Sequence, residues 1–153
     1  MKNIVPMNRV FLDTSVIFAA VLSPNGGART ILRLGEAGYL QILIGPSVLK
    51  ECETVIRRKV PQTLPELALL MNIAGIQVTS AAGEEAKKFA GKWIEYPADR
   101  LIMAEAIESR PDWFLTHDHK HFLNLPDGLF TFRIGTPGDF LEWLRSDFLS
   151  RRF

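Results

Sequence analysis

Five short apolar runs recur along the chain, "VFL" at Val10 to Leu12, then "YLQILIG", "IQVTS", "DWFLT" and "LFTFRIG", and stretches of helical character separate most of them. Each run is too short for a helix and reads as a buried strand. Strands joined through helices are driven towards parallel pairing, because a parallel pair needs a long crossover that a tight hairpin cannot supply. The pattern predicts an α/β chain, a three-layer α/β/α sandwich around a mainly parallel five-stranded sheet.

A helix is expected from Val16, with "PNGG" at Pro24 to Gly27 interrupting it. A second is expected over about Ala28 to Ala37, with Ile31, Leu32 and Leu34 apolar and Gly38 as its stop. "PSVLKECETVIRRK" carries Pro46 and Ser47 at a helix start and basic residues at its end, as N-terminal geometry and the helix dipole favour. "LPELALLMNIAG", "GEEAKKFAGKW", "DRLIMAEAIESR" and "TPGDFLEWLRSDFL" read as further helices. No repeat or Gly/Pro/Ser-rich linker divides the chain, so residues 1–153 are expected to form one domain, with residues 1–8 as a loosely ordered tail and Met7 as an alternative start.

Composition narrows the class by exclusion. The apolar run Val16 to Leu22 is far short of the ~20 residues that span a bilayer, and "MKNIVPMNRV" lacks the apolar core of a signal peptide. Net charge is +1, so this is no polycation built for nucleic acid by charge alone. A lone cysteine, Cys52, excludes an intrachain disulfide and a cysteine-based zinc site, fits a cytoplasmic location, and lies on an apolar helical face where core packing is expected.

The chemistry is concentrated in acids at segment ends. In open parallel sheets, ligands bind beyond the carboxyl ends of the strands. Asp13 follows the first run directly and Asp118 follows the fourth, in "DWFLTHD". Glu51 lies in the first turns of the helix after the second run, and Asp99 opens the helix before the fourth, preceded by Pro97. Each has a bland reading: Asp13 and Asp99 as N-caps, Asp118 as a turn cap, Glu51 as a solvated side chain. Gathered at one edge, they would repel one another and raise their own pKa values unless a cation neutralised them. An all-oxygen cluster suits a hard ion such as Mg²⁺.

These segments resemble the PIN-domain family of metal-dependent ribonucleases, which includes the VapC-type toxins of toxin–antitoxin pairs. The likeness rests on "FLDTSVIFAAVLSPNGGARTIL", "PSVLKECETVIRRK", "DRLIMAEA" and "FLTHDHKHFLNL", in the family's order from Arg9 to about Leu125. The resemblance implies an acid tetrad at Asp13, Glu51, Asp99 and Asp118 that binds Mg²⁺ or Mn²⁺ and performs water-mediated cleavage of RNA. It also implies a cognate antitoxin, frequent homodimerisation, and auxiliary ligand- or water-orienting roles for Thr14, Ser15 and Thr116. Two departures stand out: many relatives carry Asn at the position of Ser15, and many have extra acids where this chain has "EYPAD".

Other candidates are weighed beside these. His117, His119 and His121 alternate in "THDHKHF", which invites zinc, yet structural zinc sites draw ligands from more than one element; contact of His119 or His121 with substrate or a site acid is the better reading. Arg29, Arg100 and Lys120 lie beside site segments and are candidates for phosphate contact, while Arg57, Arg58 and Lys59 complement a helix dipole. Phe89, Trp93 and Tyr96 could stack bases or pack. A haloacid-dehalogenase-type phosphotransferase would need a second Asp where Ser15 stands, and a two-component receiver would need a Lys after the fifth run. A degenerate PIN fold that binds RNA or protein without cutting is the serious rival.

Overall fold

The computed structural model describes residues 7–152. The first strand, β1 (Asn8–Leu12), runs into α1 (Thr14–Leu22) and α2 (Gly27–Glu36) before β2 (Leu40–Ile44). Next come α3 (Pro46–Lys59), a 3₁₀ turn at Pro61–Thr63, α4 (Leu64–Ile73) and β3 (Gln77–Val78). The second half is α5 (Glu84–Gly91), α6 (Pro97–Ser109), β4 (Trp113–Leu115), β5 (Arg133–Gly135) and α7 (Pro137–Arg152). The sheet has the order β3-β2-β1-β4-β5 and every pairing is parallel. The chain steps outward through β2 and β3, then returns through α5 and α6 to the other side of β1. Right-handed crossovers place those two helices on the face opposite α1 to α4, which gives the expected three-layer α/β/α sandwich.

Local sequence accounts for most boundaries. Pro46 occupies the first turn of α3, and Arg57, Arg58 and Lys59 fill its last turn. Gly38 and Gly75 adopt left-handed φ of 84° and 66° just past α2 and α4, a conformation glycine enters without steric cost. At α7, Asp139 N–H donates to Thr136 Oγ1 and Thr136 N–H donates to Asp139 Oδ2, a reciprocal cap encoded by "TPGD".

The core straddles β1. Phe11 and Phe114 stack across the sheet at 5.6 Å, and Phe122 and Phe132 flank Phe114 at 5.0 and 6.3 Å. Burial of each such ring stabilises by about 1.5–3 kcal/mol. This packing also corrects one expectation. "LFTFRIG" is not a strand throughout, since only Arg133–Gly135 pairs with β4. Phe130 and Phe132 instead stack in parallel at 5.1 Å, which plugs the core from a loop. Of the expected N-terminal tail, Asn8 belongs to β1, and residues 1–6 lie outside the described residues. Cys52 is buried, and burial pushes its thiol up to about 12, as core packing requires.

One buried carboxylate organises the start of α3. Gly45 is its N-cap and has no side chain to bind the free N–H groups there. Glu105, from the buried stretch of α6, supplies the missing acceptor. Ser47 N–H donates to its Oε1 at 2.9 Å and Ser47 O–H to its Oε2 at 2.6 Å. The carboxylate lies so close that a Cβ on Gly45 would sit 2.1 Å from Glu105 Oε1. Glycine is required here by space, its backbone being ordinary extended chain. Gly45→Ala is expected to destabilise the fold by about 1–3 kcal/mol, read as a lower urea midpoint with an unchanged slope.

Candidate active site

The pairing of β1 with β4 builds the floor of the site. Leu12 lies opposite Leu115, and Asp13 N–H extends the ladder by donating to Leu115 C=O at 3.0 Å. The residues that follow, Asp13 and Thr116, therefore emerge side by side at the carboxyl edge of the central strands. Thr116 O–H donates to Asp13 Oδ2 at 2.8 Å, and Ser15 O–H donates to the same oxygen at 2.8 Å. Asp13 is the N-cap residue of α1, but its carboxylate makes no capping bond; its backbone C=O accepts from Val16 N–H instead. Its side chain is turned instead toward Ser15 and Thr116.

Asp118 is held by a turn that it caps itself. Its N–H donates to Thr116 Oγ1 at 2.9 Å, and its Oδ1 accepts from Lys120 N–H at 3.0 Å and His121 N–H at 2.9 Å. That turn aims His121 inward, with Nδ1 at 3.0 Å from Asp118 Oδ2 and 3.0 Å from Asp99 Oδ2. The neighbouring Phe122, packed on Phe114, pins the turn to the core. The bland reading of Asp99 as an N-cap does not hold: Pro97 takes the first position, Tyr96 is the N-cap, and Asp99 is the third residue of α6. There its carboxylate still meets the positive end of the helix dipole. Glu51 stands exposed on α3 beside Thr14.

The family model described as PIN domain matches residues 9–120, well over half of the chain. The chain belongs to the PIN-domain family. Solved structures similar to this PIN domain include VapBC2 of Rickettsia felis bound to a promoter DNA fragment, at 18% identity and a TM-score of 0.63, covering 82% of this chain and 96% of the other. DNA-bound VapBC of Salmonella typhimurium is similar at 17% identity and a TM-score of 0.62, covering 86% and 99%. VapC20 of Mycobacterium tuberculosis, a toxin cleaving the sarcin-ricin loop, is similar at 18% identity and a TM-score of 0.51, covering 72% and 91%. A search of curated proteins gives no match.

The acids of this PIN domain feel one another. Burial is the main cause that raises Asp13, and it overcomes the stabilising bonds from Thr116 and Ser15, while the charge of Asp118 adds to it. Burial also leads for Glu51, which Thr14 opposes and the charges of Asp13 and Asp99 reinforce. Asp99 is raised by burial, lowered by His121, and raised again by Asp118 and Asp13. An all-oxygen set of carboxylates fits Mg²⁺ or Mn²⁺ in chemistry. As they stand, though, no three His, Cys, Asp or Glu side chains among the described residues enclose a pocket for an ion.

Several neighbours serve structure. The Arg29 guanidinium donates to Ala20 and Val21 C=O and pairs with Glu66 at 3.6 Å, so it braces α1 against α2 and α4 and does not reach for phosphate. Arg100 donates to the carbonyls of Ile94 and Glu95. Lys120 is exposed, as are His117 and His119. Phe89 packs edge-on against Phe130, whereas Trp93 and Tyr96 are exposed and Tyr96 lies over His121 at 4.5 Å. Sequence reasoning did not single out Glu105; the signal was a carboxylate within "IMAEA", a helical stretch buried on every side.

These shifts carry a sign. Raised carboxylates bind protons more tightly in the folded chain than in the unfolded one, so cation-free stability falls as pH rises from about 4 through the raised values and stays low above them. Asp13→Asn is expected to flatten this decline, and to reduce the gain in melting temperature on adding Mn²⁺ at pH 7, both measured by thermal denaturation.

Proposed function

We propose that this PIN domain is an endoribonuclease dependent on Mg²⁺ or Mn²⁺, and that it is the toxin of a type II toxin–antitoxin pair working in the cytoplasm. One observation carries the reading. Asp13, Asp99 and Asp118 come from separated segments and are linked through Thr116 and His121 at the carboxyl edge of the sheet, with Glu51 coupled to them by charge. The neighbours in fold support the substrate class and the partner, since one is a toxin that cleaves the sarcin-ricin loop and two are VapBC assemblies on DNA. An antitoxin and a second copy of this chain are the partners proposed. No described helix is long and apolar enough to cross a membrane.

Asp13, Asp99 and Asp118 would hold the cation directly or through water, and Glu51 would help to hold it or orient the attacking water. When bound, the cation supplies charge neutralisation for the phosphodiester and lowers the pKa of a water in contact with it. The chain's own contribution is preorganisation. Ser15 and Thr116 fix the rotation of Asp13, the self-capped turn fixes Asp118, and Glu51 at the open rim is placed to meet water arriving from solvent.

Asp13→Asn keeps an oxygen for the Ser15 and Thr116 hydroxyls. Asp118→Asn keeps one for the Lys120 and His121 N–H groups while giving up the second-oxygen contact with the His121 ring, so folding is expected to survive in both. RNA cleavage by either variant should fall by roughly a hundredfold or more, the scale on which one preorganised charged group acts. Cleavage by the parent chain should leave 5′-phosphate ends, stop in EDTA and return with Mn²⁺. Variants that cut at the parental rate would refute the assignment. A parent chain that binds RNA and cuts none in either metal would establish the binding module instead.

A further inference from the structure

We propose that His121 is a positioning residue that competes with the divalent cation, occupying the bridge between Asp99 and Asp118 until the ion displaces it. The inference rests on the reading of the four acids as a cation site. His121 Nδ1 lies 3.0 Å from Asp99 Oδ2 and 3.0 Å from Asp118 Oδ2, and a ring nitrogen set that close to two carboxylates is assigned as the one that carries the hydrogen. A cation binding both oxygens must approach each to about 2.0–2.1 Å, through the lone pairs that this N–H now engages. A nitrogen carrying a hydrogen has no lone pair with which to ligate. The ring therefore stands in the ion's place as a donor, and the trio encloses no ion pocket as it stands.

The ring is held there from three sides. Its own backbone N–H is bound to Asp118 Oδ1, Phe122 anchors the next residue in the core, and Tyr96 covers the ring at 4.5 Å. Its other nitrogen, Nε2, is buried without a partner, which fixes the balance of the contact on Nδ1. Rotation of the side chain is the motion that frees both carboxylates, since the backbone is committed to the turn.

The test is calorimetric titration of the full chain with Mn²⁺ alone, with no RNA present, at pH 8. His121→Ala removes the competitor, and Mn²⁺ is expected to bind about tenfold more tightly, the difference made by one charge-assisted hydrogen bond. His121→Gln keeps a side-chain N–H and should stay near the parental affinity. Circular dichroism of each cation-free variant reports folding, and a partly unfolded His121→Ala would bind more weakly, the opposite sign. Equal or weaker binding by folded His121→Ala overturns the proposal and shows His121 to be a bystander or a ligand. If the parent binds Mn²⁺ and Asp13→Asn does not, the cation site itself stands whatever His121 does. If neither the parent nor His121→Ala binds Mn²⁺, the cation site and this proposal fall together.

Discussion

The in-register pairing of β1 with β4 is the contact on which the site depends. It joins segments about a hundred residues apart, and among the described residues it is the only pairing through which the two halves of the sheet meet. Because both strands end at the same level, the first residue beyond each faces the other across a fixed spacing. Thr116 then becomes a relay: its hydroxyl donates to Asp13 and accepts from the backbone of Asp118. A slip of one residue would turn Asp13 to the opposite face and break the relay at once. The chemistry of the cleft is thus a property of strand register before it is a property of any side chain.

Around that seam the fold tolerates an unfavourable collection of charge. Asp13 is 5% exposed and its carboxylate is raised by burial despite the hydroxyls that serve it. The apolar core beneath, centred on Phe11, Phe114 and Phe122, offsets this cost and makes the acid edge a place the chain can hold open. Glu105 solves a separate problem with the same chemistry. It is a buried carboxylate satisfied by a helix terminus and a serine hydroxyl, and it fixes where α3 begins and so where Glu51 stands. Two buried acids thus stand differently, Asp13 raised by burial and Glu105 paired with a helix terminus and a serine hydroxyl.

What the sequence revealed follows from what each residue's role depends on. The helix α3 is readable to its limits because Pro46, the basic end and the apolar spacing are all local signals. The acid edge is readable because parallel topology forces strand ends together, so Asp13 and Asp118 could be placed without knowing a contact. The extent of β5 is not readable, since Phe130 and Phe132 alternate as a strand would while their rings pack as a plug. Asp99 was displaced by two positions relative to its helix start because Pro97 claims the first turn and makes Tyr96 the cap. The inward aim of His121 depends on a turn closed by Asp118, and no periodicity in "THDHKHF" announces it.

The margins of the sheet have a consequence of another kind. Its outer strands, β3 and β5, offer only two and three residues of ladder, and Gln77 and Val78 lie open to solvent. Such short borders give an approaching polypeptide almost no main-chain groups to zip onto. Assembly with any companion must then be read through side chains on helices, where identity is written in surface residues that can drift freely. Closely related chains could in this way diverge in whom they accept while the backbone beneath them stays the same.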